Sequence, residues 1–375
     1  MKPIQMVDLK TQYQKIKTEV DAALIAVLES TAFINGKPVR EFAEDLAAFL
    51  DVKYVIPCAN GTDALQIAMM ALGLQPGDEV ITPSFTYIAT TEVVALLRLK
   101  PVFVEVDPRT FCMDPGSLEK AITPRTKAIV PVHLYGQSAD MEPILRIAAE
   151  HQLFVLEDNA QAIGGEYTFS NGKTVKTGTM GTVGTTSFFP SKNLGAYGDG
   201  GAIFTNDEAL SDRMAMIANH GQRIRYYHDL VGCNSRLDTI QAAVLKIKLK
   251  LLDDYIAARR KVADYYDAAF GNHPKIQIPY RAPNAKHVFH QYTLILRDAD
   301  RNALNAFLAS RNIPSMIYYP VPGHRQKMFD AFGVVTDVLK TTDWLTERVI
   351  SLPIHTELED EQLKFITDTV LEFLK

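Results

Sequence analysis

Between residues 50 and 205, short apolar and β-branched runs alternate with amphipathic stretches. The runs "YVIPCA", "DEVITP", "KPVFVEV", "KAIVPVHLYG", "LFVLED", "TTSFF" and "GAIFT" show no polar alternation, as expected of strands buried on both faces. Most are separated by helix-like segments such as "TDALQIAMMALGL" and "MEPILRIAAEH". Apolar strands joined by helices predict an α/β fold with a mainly parallel central sheet flanked by helices. From 236 to 270, apolar positions recur at three and four, predicting long helix in one piece or two. Beyond it, "FHQYTLIL" and "SMIYYP" read as strands and "RNALNAFLASR" as a helix. The pattern thus predicts a large domain over 1–250, N-terminal segment included, and a small C-terminal α+β domain over 251–375. No low-complexity linker separates them, so a ligand cleft is expected between the two.

Composition removes several classes of function. The 375 residues hold 39 Lys+Arg against 44 Asp+Glu, a net charge of −5, with no basic block. Nucleic acid is therefore not the expected partner. Cys58, Cys112 and Cys233 are far apart and form no C-x-x-C, which fits a reducing compartment and predicts neither a disulfide framework nor a metal site. The opening "MKPIQMVDLKTQYQ" lacks a signal-peptide core, and no apolar run is long enough to span a bilayer. A cytoplasmic protein without membrane contact is expected. Signatures of nicotinamide oxidoreductases (G-x-G-x-x-G), Walker-A nucleotidases, G-x-S-x-G hydrolases and H-E-x-x-H metalloenzymes are missing from the chain.

Open α/β sheets bind ligands beyond the carboxyl ends of their strands, and three such loops carry candidate chemistry. In "CANGTDALQIAMM", Gly61 and Thr62 open a helix whose first N–H groups are free to hold a phosphate. Thr62 could equally be a plain N-cap. In "LFVLEDNAQAIGG", Asp158 ends an apolar strand, a costly place for a carboxylate without a partner. Gln161 follows at three residues, within reach of the same ligand, and capping of a following helix is the alternative for Asp158. In "TTSFFPSKNLGAYGDGG", Lys192 stands alone between an apolar strand and a glycine-rich turn. Burial would favour its neutral amine, the form needed for Schiff-base formation, whereas a snorkelling lysine would stay charged. An amine, a buried carboxylate and a phosphate cradle together suit pyridoxal 5'-phosphate. Lys192 would bond its aldehyde, Asp158 would keep the pyridine nitrogen protonated, and Ser187 would join the cradle. Tyr87 of "PSFTYIAT" would cover the ring, unless it is a packed core aromatic.

The ordered motifs "ANGTDAL", "PSFTYIAT", "EDNAQAIG", "SFFPSKNLGAYGDGGAI", "HGQ", "GCNSRLDTIQAA" and "YYPVP" resemble the DegT-type nucleotide-sugar aminotransferases, a branch of the fold-type I pyridoxal-phosphate enzymes. The likeness runs nearly end to end. It is greatest to enzymes that aminate UDP-2-acetamido-2-deoxy-3-oxo-glucuronate. It implies the roles above for Lys192, Asp158, Gln161, Ser187, Gly61, Thr62 and Tyr87. It also implies that Asn234 reaches the cofactor phosphate of the other subunit of a homodimer with shared sites. The implied activity moves an amino group, with L-glutamate as donor, onto a keto nucleotide sugar in cell-surface polysaccharide synthesis. The cofactor would pass through its pyridoxamine phosphate form. A 4-keto or 3-keto dTDP-deoxysugar is the alternative substrate, and a non-catalytic cofactor-binding scaffold or sensor the alternative class. Arg236 could grip a uronate carboxylate or a diphosphate, or pair with Asp238. The family usually has His-Tyr-Pro where this chain has Tyr318-Tyr319-Pro320, and leucine where it has Gly323 before His324. Tyr319, His324 and the long segment 166–181 are expected near the substrate.

Overall fold

The seven apolar runs form one sheet in a computed structural model that describes residues 1–332 and 339–375. Its early strands are β1 (Tyr54–Cys58), β2 (Glu79–Pro83), β3 (Lys100–Val104), β4 (Thr126–Ile129) and β5 (Phe154–Asp158). A hairpin of β6 (Glu166–Thr168) and β7 (Thr174–Lys176) intervenes before β8 (Val183–Ser187) and β9 (Gly201–Thr205) complete the sheet. The spatial order is β1-β9-β8-β5-β4-β2-β3. β9 runs antiparallel to both neighbours and the remaining pairs are parallel. Successive strand residues point to opposite faces. Val80 and Leu156 enter one core with Ile67, Val93 and Met214 of the covering helices. Ile81 and Val155 enter the other, with Met141, Ile144 and Phe111.

The long helical run divides in two, Thr239–Leu249 and Leu252–Phe270. The second helix leads into a smaller core, where Val262, Tyr266 and Phe270 pack against an antiparallel sheet. Two further hairpin strands, β10 (Gln222–Ile224) and β11 (Tyr227–His228), precede that region. The small sheet has the order β12 (Ile276–Gln277), β14 (Tyr292–Leu296), β15 (Val349–Leu352), whereas β13 (Ala285–Lys286) pairs with β6. Helices Arg301–Ser310 and Asp360–Leu374 cover it. One expectation changes here. "SMIYYP" is no strand, because only Met316 bridges to Ser351 before the chain turns toward the large sheet. The N-terminal helices pack on the large sheet's helices and strands, with Phe42 and Leu46 beside Phe188 and Phe204, and only the first few residues depart, Ile4 entering the C-terminal core and Gln362 Nε2 donating to Lys2 O and Pro3 O. Among the described residues no helix is long and apolar enough to cross a membrane.

Candidate active site

Strand register assembles the site at one edge of the large sheet. Gly201 pairs with Cys58 on one side and Ser187 on the other, so the ends of β1 and β8 lie two strands apart. Asp158, at the end of β5, pairs with Thr185 of β8. The loops that follow these ends must therefore meet.

The lysine loop begins at Ser187. Phe188 N donates to Gly200 O (2.7 Å), Ala196 N to Phe188 O (2.8 Å) and Lys192 N to Phe189 O (2.9 Å). Its glycines permit close approach and none has a left-handed φ. A Cβ on Gly195 would lie 2.3 Å from Pro190 O, and one on Gly201 would lie 2.4 Å from Asn60 O. Buried Lys248 donates to Gly195 O (2.5 Å) from below. The Lys192 side chain as a whole keeps some exposure, but burial of its amine lowers its pKa to about 8, against a smaller opposing pull from Asp158. Burial thus favours the neutral amine, the form that carbonyl addition requires.

Asp158 is 5% exposed. Thr90 Oγ1 donates to its Oδ2 (2.7 Å) and Ala160 N to its Oδ1 (3.1 Å). Residues 160–164 are turn, so Asp158 caps no helix. Gln161 joins two other loops, accepting from Tyr135 N (2.7 Å) and donating to Tyr319 Oη (3.0 Å). The preceding residue, Glu157, is fully buried and accepts from Gly178 N (2.9 Å), Met180 N (2.6 Å) and Gly181 N (2.5 Å). His133 completes this cluster. Its Nδ1 accepts from Ala139 N (3.0 Å), so Nε2 carries the proton and donates to Glu157 Oε2 (2.8 Å). Thr90, Glu157 and His133 were not singled out from the sequence. Their signal is a polar residue at a fully buried position, visible only once burial is known.

The helix Gly61–Ala71 starts beside Ser187. A Cβ on Gly61 would lie 2.7 Å from Ser187 Cβ. Asn60, not Thr62, is the N-cap, its side chain accepting from Asp63 N (2.8 Å). The amides of Gly61 and Thr62 have no intrahelical acceptor and open this end of the helix to an anion. Tyr87 is 57% exposed, no core aromatic, with its ring 6.1 Å from that of Tyr319. Asn234 is exposed, and the next residue, Ser235, accepts from Ala59 N (3.0 Å), which ties its loop to the approach to Gly61. Arg236 is half-buried, and among the described residues it forms no ion pair with Asp238 or another acid. His324 is buried and engaged at both ring nitrogens, by Ser84 Oγ (2.7 Å) and an Asp343 carboxylate oxygen (3.4 Å). It braces its loop on the large sheet. Gly323 is required there, because a Cβ would lie 2.7 Å from Phe103. The 166–181 segment hydrogen-bonds to Glu157, Asn159 and Ala162, to Asp140 and Glu142, and to β13.

Comparison with known proteins identifies the family. Residues 14–371 match the model of the DegT/DnrJ/EryC1/StrS aminotransferase family. The chain belongs to that family. A UDP-2-acetamido-2-deoxy-3-oxo-D-glucuronate aminotransferase of Pseudomonas aeruginosa is 48% identical over 97% of this chain and 98% of its own. A pleiotropic regulatory protein of Geobacillus stearothermophilus is 45% identical, covering 99% of both. NtdA of Bacillus subtilis, solved with the cofactor PMP bound, superposes with a TM-score of 0.88 at 31% identity, covering 98% of this chain and 83% of its own. The residues of this family member fit such a cofactor: uncommitted helix amides beside a serine, a buried carboxylate held by two donors, and an amine with lowered proton affinity.

Proposed function

We propose that the protein is a PLP-dependent aminotransferase that carries an amino group from L-glutamate to a keto nucleotide sugar. The substrate assigned is a UDP-linked 3-keto sugar or 3-keto-uronic acid, made for bacterial cell-surface polysaccharide such as O-antigen. One observation carries the reading. The enclosed Lys192 amine, drawn down to about 8, shares a sheet edge with Asp158 and with the open amides of Gly61 and Thr62. Similarity to the Pseudomonas enzyme supports the sugar class, and Arg236, without an ion-pair partner among the described residues, is suited to a carboxylate or diphosphate.

When bound, the cofactor supplies an aldehyde for the amine and an electron sink for the developing carbanion. Gly61, Thr62 and Ser187 would hold its phosphate. Asp158, fixed by Thr90 and Ala160, would keep the pyridine nitrogen protonated, and Gln161 would lie against the same ring. Tyr87 would cover the open face. Lys192 would hold the aldehyde carbon at rest and, once displaced by the donor, move a proton between the two carbons of the 1,3-shift. Arg236, Tyr319 and the loop braced by His324 are proposed to meet the sugar nucleotide. We place the enzyme in the cytoplasm as a homodimer whose sites are shared through Asn234.

The regulatory name of the Geobacillus relative favours one other reading, a cofactor-binding sensor without turnover. Incubation with L-glutamate separates the two. The aminotransferase converts its cofactor to the amine form, releases 2-oxoglutarate, and then aminates a UDP-3-keto sugar, read by product NMR. Borohydride should trap the resting cofactor on Lys192. A trapped peptide containing another lysine, or no glutamate half-reaction, sinks this reading.

A further inference from the structure

The turn "HLYG", in the loop after β4, joins the large sheet to the small one. Tyr135 has φ 58° and ψ 3°, a left-handed conformation unfavourable for a bulky residue, and Gly136 follows at φ 104°. A Cβ on Gly136 would lie 2.9 Å from both Phe289 N and His290 N, so glycine is required there. Val288 N donates to Gly136 O (2.8 Å) and Gln291 N to Tyr135 O (3.2 Å), which ties the turn to the chain entering β14. The Tyr135 ring stands edge-on to Phe85 (6.5 Å) and Phe111 (5.2 Å). A conformation of this kind persists only where its surroundings hold it, and it is most often found where something is being positioned.

Two atoms of Tyr135 converge on Tyr319. Tyr135 Oη donates to Tyr318 O, the carbonyl that immediately precedes Tyr319. Tyr135 N donates to Gln161 Oε1 (2.7 Å), which leaves Gln161 Nε2 to donate to Tyr319 Oη (3.0 Å). The main chain before Tyr319 and the tip of its side chain are therefore both set by one residue. Phe85 and Tyr87 flank the Tyr319 ring (6.2 and 6.1 Å between centroids) but make no hydrogen bond to it. Farther along, Gly323 N donates to Ser84 O (2.8 Å) and His324 N to Ser84 Oγ (3.1 Å). Between these anchors, the run Tyr319-Pro320-Val321-Pro322 contains a single polar side chain, the phenol of Tyr319. Its oxygen accepts from Gln161, and its own hydrogen has no acceptor among the described residues. Burial holds that phenol well above its usual pKa, so the hydrogen stays on. A hydroxyl that is fixed as an acceptor and keeps an uncommitted hydrogen is set to donate to a ligand oxygen.

We propose that Tyr135 is a positioning residue for the sugar nucleotide: through Tyr318 O and Gln161 it holds Tyr319 so that the phenol hydrogen is given to an oxygen of that substrate. Tyr135 is itself 2% exposed and acts only through these neighbours. The inference rests on the proposed contact between Tyr319 and the sugar nucleotide.

The test compares the wild-type holoenzyme with Tyr135→Phe, Tyr319→Phe and the double variant. Tyr135→Phe removes one hydroxyl and keeps both the ring and the amide that orients Gln161. Calorimetry reads the binding of UDP-N-acetylglucosamine as a dead-end ligand. The single-turnover glutamate step and PLP titration of the apoprotein read the rest of the site. Tyr135→Phe should bind the UDP-sugar roughly 5–10-fold more weakly. Its PLP affinity and glutamate step should stay within about 2-fold of wild type. Tyr319→Phe should lose at least as much sugar affinity, and the double variant should match Tyr319→Phe, because Tyr135 acts only through Tyr319. Independent contacts would instead multiply their losses. Wild-type sugar affinity in Tyr135→Phe, multiplied losses in the double variant, or an equal loss of PLP affinity in Tyr135→Phe each overturns the proposal. Should Tyr135→Phe not fold, Tyr319→Phe still decides, since wild-type affinity there leaves Tyr135 nothing to position. The wild type keeps the two claims apart. Failure to take the amine of glutamate and to bind UDP-N-acetylglucosamine removes the premise, whereas a competent wild type with an indifferent Tyr135→Phe removes only the role of Tyr135.

Discussion

Lys192 destabilises the folded apoprotein in a way that depends on pH. Its pKa falls from 10.5 to about 8 because burial disfavours the ammonium. Between those values the unfolded chain binds more protons than the native one, so stability rises with pH across that window. Below about 8 the full penalty is present. Apoprotein carrying Lys192→Met should therefore exceed the wild type in stability at pH 7, by on the order of 1–3 kcal/mol after allowance for the partial exposure of the side chain. The difference should shrink as pH rises from 8 to 10.5. Urea titrations of the two apoproteins measure this, and a variant no more stable at pH 7 would show that the amine is well solvated. At this scale the sequence was informative about Lys192 and Asp158, since an isolated lysine and a strand-end carboxylate violate ordinary patterning. It was silent about Thr90, Glu157 and His133. Their composition is ordinary, and only burial and hydrogen-bond partners distinguish them.

Elements were more legible than their directions. Apolar runs without alternation identified all seven strands of the large sheet, but "GAIFT" reads alike in either direction. β9 is antiparallel because the 188–200 loop contains no crossover helix, and a parallel return would need one. That same short connection places the lysine against the β1 end, where the helix Gly61–Ala71 begins. "SMIYYP" misled because aromatic and β-branched content marks a strand only where a partner edge exists. Here the chain leaves β15 after one bridge and delivers Tyr319 to Gln161. The junction of helix and β8 makes a specific prediction. In Gly61→Ala, the new methyl would meet Ser187 Cβ at 2.7 Å, so the helix start and Ser187 must separate. The fold should survive with a loss of roughly 1–3 kcal/mol, but cofactor affinity should fall at least about 10-fold, because two of the proposed phosphate donors move. Titration of apoprotein with PLP reads the effect. Wild-type affinity would place the phosphate elsewhere.

At the scale of the whole molecule, the question is whether one chain makes a complete site. Ser235 binds Ala59 of its own chain (3.0 Å), which sets the Asn234 loop beside its own cradle while leaving the Asn234 side chain exposed. The neighbouring hairpin exposes Ile224, Tyr226 and Tyr227, apolar surface suited to a second copy of the chain. If Asn234 serves the partner's phosphate and Lys192 its own site, neither defect can be repaired within a single chain. Lys192→Ala and Asn234→Asp proteins should each be inactive, the latter because a carboxylate replaces a donor beside a phosphate. After subunit exchange, heterodimers make up about half of all dimers in a symmetric two-fold assembly, and each has one intact composite site. That site takes Lys192 from the Asn234→Asp chain and Asn234 from the Lys192→Ala chain, so activity should recover to roughly a quarter of wild type. If Asn234 instead serves its own chain, the only chain with Lys192 also carries the Asp, and mixing restores nothing. Native mass spectrometry confirming exchange, together with folded single mutants, makes that null result decisive against a shared site.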